Sequence, residues 1–408
     1  MIEQKGNNKK ILIMVPAQAV FKKEKTGVEE YLFKLLDMWS VLEPKDIQFR
    51  IYLKHEVKNL PLFLKKDFLE IKVIRLLWLW TVGRLSLEML KIIFQRKFSV
   101  SFRRNFSEAV LFAPTNVMPL IHPKRTVVTI HGLEYEYFPQ YYSWFSRKYL
   151  RWSTRYATKH ASRIIAVSEN TKQDLVKLYG CPSEKIEVIW HGVNLVKSEK
   201  LKVKSQSSKF KINEPYFLYL GRIELKKNVV GIIEAFEMLN TKYEIRNTKL
   251  VLAGGAGYGW ESVKLKVKSL KCKEDVIFTG HIEGERKWEL LRNATALVFP
   301  SFYEGFGLPI LEAQSVGVPV ITSKGSSMEE ITTLMKNEKR KRKNNNEKCK
   351  TYSALLVDPN KPEEIASAMD KIISDDKLRK DLIQAGYENV KRFSWEKTAR
   401  KTLSVLNF

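Results

Sequence analysis

Two glutamates, Glu304 and Glu312, stand with seven residues between them in the stretch Phe299-Pro-Ser-Phe-Tyr-Glu-Gly-Phe-Gly-Leu-Pro-Ile-Leu-Glu312. Carboxylates accept hydrogen bonds from hydroxyls, and a Gly-containing turn that opens a helix offers backbone N–H groups and a positive dipole end to an anion. Sugar hydroxyls and phosphate are the ligands such a stretch suits. One glutamate at the loop and one in the helix need not share a task, so one fits a sugar and the other a ribose. A second cluster, Gly221-Arg222-Ile-Glu-Leu-Lys-Lys227-Asn228, joins a planar guanidinium fork to an ammonium point charge. Together they meet the charge that develops on a departing diphosphate. Two further groups stand at strand ends: His131, in His131-Gly132-Leu133, and Gly27, in Thr26-Gly27-Val28 ahead of a helix. A histidine at the carboxyl end of a strand in a doubly wound sheet lies where ligands bind, and a glycine there lets backbone approach a phosphate.

Each of these groups needs an element to hold it. The apolar run Ala296-Leu-Val-Phe299 precedes Glu304, and an amphipathic segment follows, which gives strand, loop, helix. Similar apolar runs occur at 11–15, 127–130, 163–167, 187–189, 216–220, 250–253, 276–278 and 318–322, separated by longer helical patterns. Nine strands alternating with helices predict α/β domains with parallel sheets. At 408 residues the chain is long enough for two such domains. A Lys- and Ser-rich stretch at 195–211, after Trp190-His-Gly-Val-Asn194, has the composition of a linker. Gly254-Gly255-Ala-Gly257, at another strand end, lacks the spacing of a dinucleotide fingerprint and is expected to form a turn beside the same cleft.

The string Pro300-Ser301, Glu304-Gly-Phe-Gly-Leu-Pro309, Glu312-Ala313 and Gly317-Val-Pro319 resembles the E-x7-E motif of retaining glycosyltransferases of family 4, in its mannosyltransferase-like form. The likeness covers nearly the full chain and is sharper in the second half. It implies an α/β GT-B fold: two Rossmann-like, doubly wound domains facing a central cleft. Residues 1–205 would form the acceptor-side domain and 206–392 the nucleotide-sugar-binding domain, with a final helix at 393–408 packing back on the first. The resemblance also implies roles. Arg222 and Lys227 hold the donor diphosphate, Glu304 and the Phe306-Gly307-Leu308 backbone surround sugar and phosphate, and Glu312 takes the ribose. His131 lies near the transferred sugar, and Gly27 faces the donor phosphates. His131 and Glu304 are thus the expected catalytic residues.

The implied activity moves a hexose, mannose favoured, from a nucleotide-diphosphate sugar to a hydroxyl of a lipid-linked or polysaccharide acceptor, with retention through a front-side mechanism. Neither a cofactor nor a metal is expected, because the sequence has no Asp-x-Asp pair and its His, Cys and carboxylates do not cluster at metal spacings. Two departures from the family stand out. Thr26 occupies a position often held by glycine, and a basic tract at 336–350 separates the Ser326, Ser327, Glu330 element from Leu356-Val-Asp-Pro359. Other GT-B enzymes, such as a nucleotide-sugar epimerase or a glycogen or sucrose synthase, share the fold but not the acceptor.

Net charge is +26, which calls for an anionic partner. Residues 72–104 carry eight Lys/Arg against Glu88 alone, interleaved with Trp78, Trp80, Phe94, Phe98 and Phe102. That mixture suits an anionic membrane surface. Arg147, Arg151, Arg155, Lys159 and Arg163 recur every four residues, with no acid between Ser143 and Ser168. Like charges at that spacing repel by about 0.2–0.5 kcal/mol per pair, which an anionic counterpart relieves. A noncatalytic nucleic-acid-binding protein would share this charge, but no nucleic-acid module motif is present and no nucleic acid is expected. Three cysteines, Cys181, Cys272 and Cys349, are too few and scattered for a disulfide framework, so a reducing compartment is expected. The apolar run near 76–82 is too short to span a bilayer, which places the protein in the cytoplasm, peripheral to the membrane.

Overall fold

The computed structural model describes residues 10–17, 27–57, 60–74, 83, 86–87, 89, 109–194, 212–245, 247–334 and 351–407. Thr26, the 195–211 linker with the 205/206 boundary, the basic tract at 336–350 and all five aromatic residues of the 72–104 stretch lie outside them. The chain divides into two compact units, Met1–Gly192 with Trp395–Phe408, and Val193–Ser394.

The first unit is built on a seven-stranded sheet in the order β3-β2-β1-β4-β5-β6-β7, every neighbouring pair parallel. Its strands are β1 Ile11–Pro16, β2 Ile47–Leu53, β3 Leu69–Val73, β4 Val110–Ala113, β5 Arg125–Ile130, β6 Arg163–Ala166 and β7 Ile186–Val188. Central strands such as β4 are buried at every residue, as expected of a sheet covered on both faces. Helix α1 (Gly27–Leu42) buries Tyr31, Leu32, Leu35, Leu36 and Trp39, one apolar stripe at helical period. Trp39 stacks on Phe49 of β2 at 4.8 Å, and its indole N–H donates to Ala399 O in the terminal helix Trp395–Leu406 (3.2 Å). Helix α2 spans Trp144–His160 and α3 Glu169–Tyr179. The ends of α3 are written in its sequence: Ser168 accepts from Thr171 N at the start, and Gly180 closes the helix at φ +61°.

The second unit carries a six-stranded sheet in the order β10-β9-β8-β11-β12-β15, also parallel throughout. Along the chain run β8 Tyr216–Leu220, α4 Val229–Lys242, β9 Lys249–Ala253, α5 Trp260–Lys268, β10 Val276–Gly280, α6 Gly284–Arg292 and β11 Ala296–Phe299. Then follow α7 Leu308–Ser315, β12 Val320–Ser323, α8 Ser327–Thr332, β15 Leu355–Val357, α9 Pro362–Ser374 and α10 Asp376–Val390. Between α8 and β15 a two-stranded antiparallel ladder pairs β13 (Thr333–Leu334) with β14 (Thr351–Tyr352). In sequence, β13 and β14 flank the segment that contains the basic tract.

All nine strands expected from apolar runs are present, together with six more among the described residues: β2, β3, β4, β13, β14 and β15. Their sequences explain the difference. Gln48 and Arg50 break the apolar run of β2, Glu70 and Lys72 dilute edge strand β3, and β13 and β14 have two residues each, whereas β4 and β15 are apolar runs as short as β11 and β7. Pairing to an already formed neighbour, which local sequence does not report, makes β2, β3, β13 and β14 strands. In both sheets the order reverses, between β1 and β4 in one and between β8 and β11 in the other. Loops leaving adjacent strands at such a point diverge to opposite faces and open a crevice at the carboxyl ends, where doubly wound sheets bind ligands.

Candidate functional site

In the second unit the reversal lies between β8, which leads to Arg222 and Lys227, and β11, which leads to Glu304. The loop after β8 is held by the turn after β9. Gly254, at φ +157°, passes so close that a Cβ there would lie 1.8 Å from Gly221 O. Ile223 N donates to Gly255 O (2.9 Å) and Gly257 N to Ile223 O (3.0 Å), so the two loops continue the sheet by a few residues. The glycines of the 254–257 turn thus serve backbone approach to a neighbouring loop, and that loop carries the cations.

Lys227 and Glu304, 77 residues apart in sequence, meet here. Lys227 Nζ donates to Glu304 Oε1 at 2.6 Å, and Ser301 Oγ donates to the same oxygen at 3.1 Å. The ammonium also lies 5.6 Å from the centre of the Phe299 ring. Ser327 Oγ, in the first turn of α8, donates to the Glu304 main-chain oxygen (2.6 Å), which fixes the loop from its other side. The pair is mostly enclosed, with side-chain exposures of 18% for Lys227 and 19% for Glu304. Asn228, in the left-handed region at φ +57°, donates from Nδ2 to Pro300 O (3.1 Å) and Pro359 O (2.6 Å), tying the start of α4 to the loop after β11.

Arg222 stands apart from this pair. Its side chain is 57% exposed and only loosely engaged with Glu224, Nη1 to Oε1 at 3.6 Å. It is therefore a guanidinium free to reorganise around an anion. Phe306 is buried, its ring 5.9 Å from that of Phe393, and Gly307 adopts φ +113° immediately before α7. Leu308 and Pro309 open that helix, whose first N–H groups have no intrahelical acceptor. Glu312 lies further along α7, where Lys287 of α6 donates to its Oε1. Each glutamate of the sequence motif thus has its own lysine. The sequence marks Lys227 as a phosphate ligand but shows neither its carboxylate partner nor Lys287, because neither pairing has a fixed spacing.

In the first unit His131 follows β5, and Nε2 lies 2.8 Å from Pro114 O in the loop after β4. A carbonyl only accepts, so Nε2 carries the proton and Nδ1 of the neutral ring is the acceptor. Burial drives the imidazole down to about 4, opposed by the Pro114 bond and by the charge of Glu29, so the ring is neutral at physiological pH. Its ring is enclosed by aromatic neighbours. Tyr31 of α1 meets it edge-on at 5.0 Å, and His191 stacks on it at 5.5 Å with 17° between the planes. Tyr31 in turn bonds Thr129 Oγ1 (3.2 Å), and burial pushes its phenol up to about 12. His191, which looks like His131 in sequence, is nearly inaccessible at 4% exposure, and burial and then His131 hold its imidazole well below the usual range. It also lies 5.9 Å from the Trp395 ring at the start of the terminal helix. It packs against both His131 and Tyr31, whose ring centre is 4.8 Å away. Gly27 begins α1, two residues before Glu29, which is buried.

Among the described residues no group of three or more His, Cys, Asp or Glu is gathered as a metal site would require, and no helix is long and apolar enough to cross a membrane.

Residues 202–389 match the family model described as glycosyl transferases group 1, and residues 82–197 match that of glycosyltransferase family 4. The O-antigen chain mannosyltransferase B of Escherichia coli is 26% identical over 307 residues, 74% of this chain and 75% of that one. Among solved structures, sucrose-phosphate synthase from Thermosynechococcus elongatus superposes with a TM-score of 0.69 at 18% identity, covering 97% of this chain and 98% of its own. A similar superposition, TM-score 0.65 at 17% identity over 98% of this chain and 99% of the other, relates it to Anabaena Alr3699/HepE in complex with UDP and glucose.

Proposed function

The chain belongs to the family 4 glycosyltransferases with the GT-B fold, and from that premise we propose that it transfers a hexose, with mannose the favoured sugar, from a nucleotide-diphosphate donor to a hydroxyl of a lipid-linked or polysaccharide acceptor, with retention at the anomeric carbon. The observation that carries this reading is the junction of Lys227 and Glu304 at the reversal between β8 and β11. An ammonium meets a carboxylate there, an exposed guanidinium follows the same strand β8, and a helix begins soon after the same loop from β11, which is the equipment for a diphosphate with a sugar attached.

In this proposal Arg222 and Lys227 take up the diphosphate, and their charge stabilises the leaving group as the glycosidic bond to phosphate breaks. Side chains and the α7 dipole supply that charge, so no metal is required. Glu304 has a lysine bond to release when the diphosphate arrives, which leaves its carboxylate available to the sugar hydroxyls. The main chain at Phe306, Gly307 and Leu308 borders the sugar and phosphate, and Glu312 takes the ribose. Gly27 lets the start of α1 approach the phosphates. On the acceptor side, neutral His131 fits a hydrogen-bonding role near the sugar better than a charged one. The departing phosphate accepts the acceptor's proton while the new bond forms on the same face, so no enzyme nucleophile is needed. The mannosyltransferase likeness in sequence and the UDP and glucose held by a structural relative support a nucleotide-sugar donor. An acceptor carried on lipid at an anionic membrane face is consistent with the net charge of +26.

The deciding experiment is a thermal shift of the whole protein with UDP, GDP, ADP and CMP, beside Arg222→Ala, followed by incubation with the corresponding nucleotide-sugars and NMR of the product anomer. A selective shift lost in the variant, with a retained anomer formed equally in EDTA, is the expected result. Absence of any shift, inversion, or dependence on added divalent metal would refute the corresponding part. Conversion of the donor without an acceptor would identify an epimerase instead.

A further inference from the structure

Helix α2, Trp144–His160, buries only Ser153, Thr154, Ala157 and Thr158 against its unit. The opposite face holds four large aromatic residues within about two and a half turns: Trp144 at 61% exposure, Phe145 at 78%, Tyr149 at 37% and Trp152 at 43%. Large apolar side chains exposed elsewhere among the described residues, such as Leu62 and Leu265, lie on other elements. Clustering of this kind marks an interaction surface. The rings are ordered among themselves. Lys148 sits 3.9 Å over the Trp144 ring, Trp144 meets Phe145 edge-on at 4.9 Å, and Trp152 stacks on Tyr156 at 5.7 Å.

Cations share the same face. At about 100° per residue, Lys148, Arg151, Arg155 and Lys159 fall within about 80° of one another, and Phe145, Trp152 and Tyr149 form the adjoining strip. Of these cations Arg151 pairs with Glu136 at 3.0 Å, whereas Arg155 and Lys159 are exposed and form no ion pair among the described residues. No acidic residue lies between Ser143 and Ser168.

We propose that this face of α2 docks the protein on an anionic lipid bilayer, with Trp144, Phe145 and Trp152 at the headgroup boundary and the cations on lipid phosphates. Charge complementarity selects the occupant. A neutral protein surface would leave the cations unmatched, and a nucleic-acid duplex would leave the aromatic edge uncovered, whereas an interface of anionic headgroups over acyl chains satisfies both. The inference sharpens the reading of a membrane-borne acceptor by naming the surface that meets the membrane. Its evidence is α2 itself and does not depend on the transfer chemistry.

The test is flotation of the whole chain with vesicles of phosphatidylcholine alone and of phosphatidylcholine mixed with phosphatidylglycerol. Wild type is expected to bind only the anionic vesicles, less so as salt rises. Arg155→Ala and Lys159→Ala each weaken binding about fivefold, and Phe145→Ser with Trp152→Ser weakens it by about tenfold or more. Thermal midpoints and nucleotide-induced shifts should stay at wild-type values in all three variants, which separates lost docking from lost fold. Failure of wild type to bind anionic vesicles would sink both this inference and the membrane-borne acceptor. Binding that survives in the α2 variants would overturn the inference alone. Displacement of vesicles by an oligonucleotide, or self-association abolished by Phe145→Ser, would assign the face to another partner and overturn it as well.

Discussion

Replacing Lys227 by Met tests whether its bond to Glu304 is a structural tie or a ligand site held in readiness. A hydrogen bond from an ammonium to phosphate contributes about 1.5–3 kcal/mol net. The bond it replaces, between side chains 18% and 19% exposed, lies between surface and buried pairs, and about 1 kcal/mol is a fair value for it. The difference, about 0.5–2 kcal/mol, predicts that Lys227→Met raises the Kd of the preferred nucleoside diphosphate by about 2- to 30-fold. Glu304→Gln acts in the opposite direction on binding. It frees the ammonium, so the same nucleotide binds up to about fivefold more tightly, while turnover falls about 100- to 1,000-fold because the sugar loses its carboxylate. The double variant should bind like Lys227→Met, since without the lysine the glutamate has nothing to withhold. Calorimetric titration of all four proteins and initial rates with the matching nucleotide-sugar give the complete cycle. A Kd unchanged in Lys227→Met, or turnover unchanged in Glu304→Gln, would show that the pair merely stabilises the loop after β11, and a large drop in thermal midpoint in both would say the same.

Three other outcomes follow from particular contacts. Asn228→Ala loses two hydrogen bonds to proline carbonyls and a residue tolerant of φ +57°, a cost of about 3 kcal/mol in chemical denaturation; Asn228→Gly should recover only the backbone part, and wild-type stability in Asn228→Gly would refute the hydrogen-bond account. Gly254→Ala drives a Cβ to 1.8 Å from Gly221 O, so the β8 and β9 loops must separate; stability should fall by about 3 kcal/mol and nucleotide binding with it, and a neutral effect on both would disprove the close approach. The His131 imidazole is held down at about 4 in the folded protein against about 6.5 unfolded, so the folded state binds fewer protons between those values. Stability is therefore fully present above about pH 6.5 and falls, by roughly 3 kcal/mol, as pH drops to about 4. Urea midpoints across that range should be flatter in His131→Phe, and identical slopes would mean that the ring is not desolvated.

The alternation of apolar runs with helical patterns was enough to reach the α/β class and the nine strands with the strongest runs, because strands buried on both faces announce themselves by composition. Likewise Glu304, Arg222, Lys227 and His131 are legible as chemistry, since each lies in a glycine-containing loop that follows an apolar run and residue type alone limits what it can do. Strands β2 and β3 are not legible, because polar and charged residues interrupt their runs and their pairing depends on neighbours already in the sheet, whereas β4 and β15 are apolar runs as readable in composition as β11. The partners of the site residues were equally hidden. Lys227 joins Glu304 across 77 residues, Lys287 joins Glu312 across 25, and His131 stacks on His191 across 60, which only the strand order brings about. Local sequence sets which groups a chain possesses; the reversal of strand order at β1/β4 and β8/β11 decides which of them face one another, because contacts between distant residues are fixed by the packing of whole elements and leave no periodicity behind.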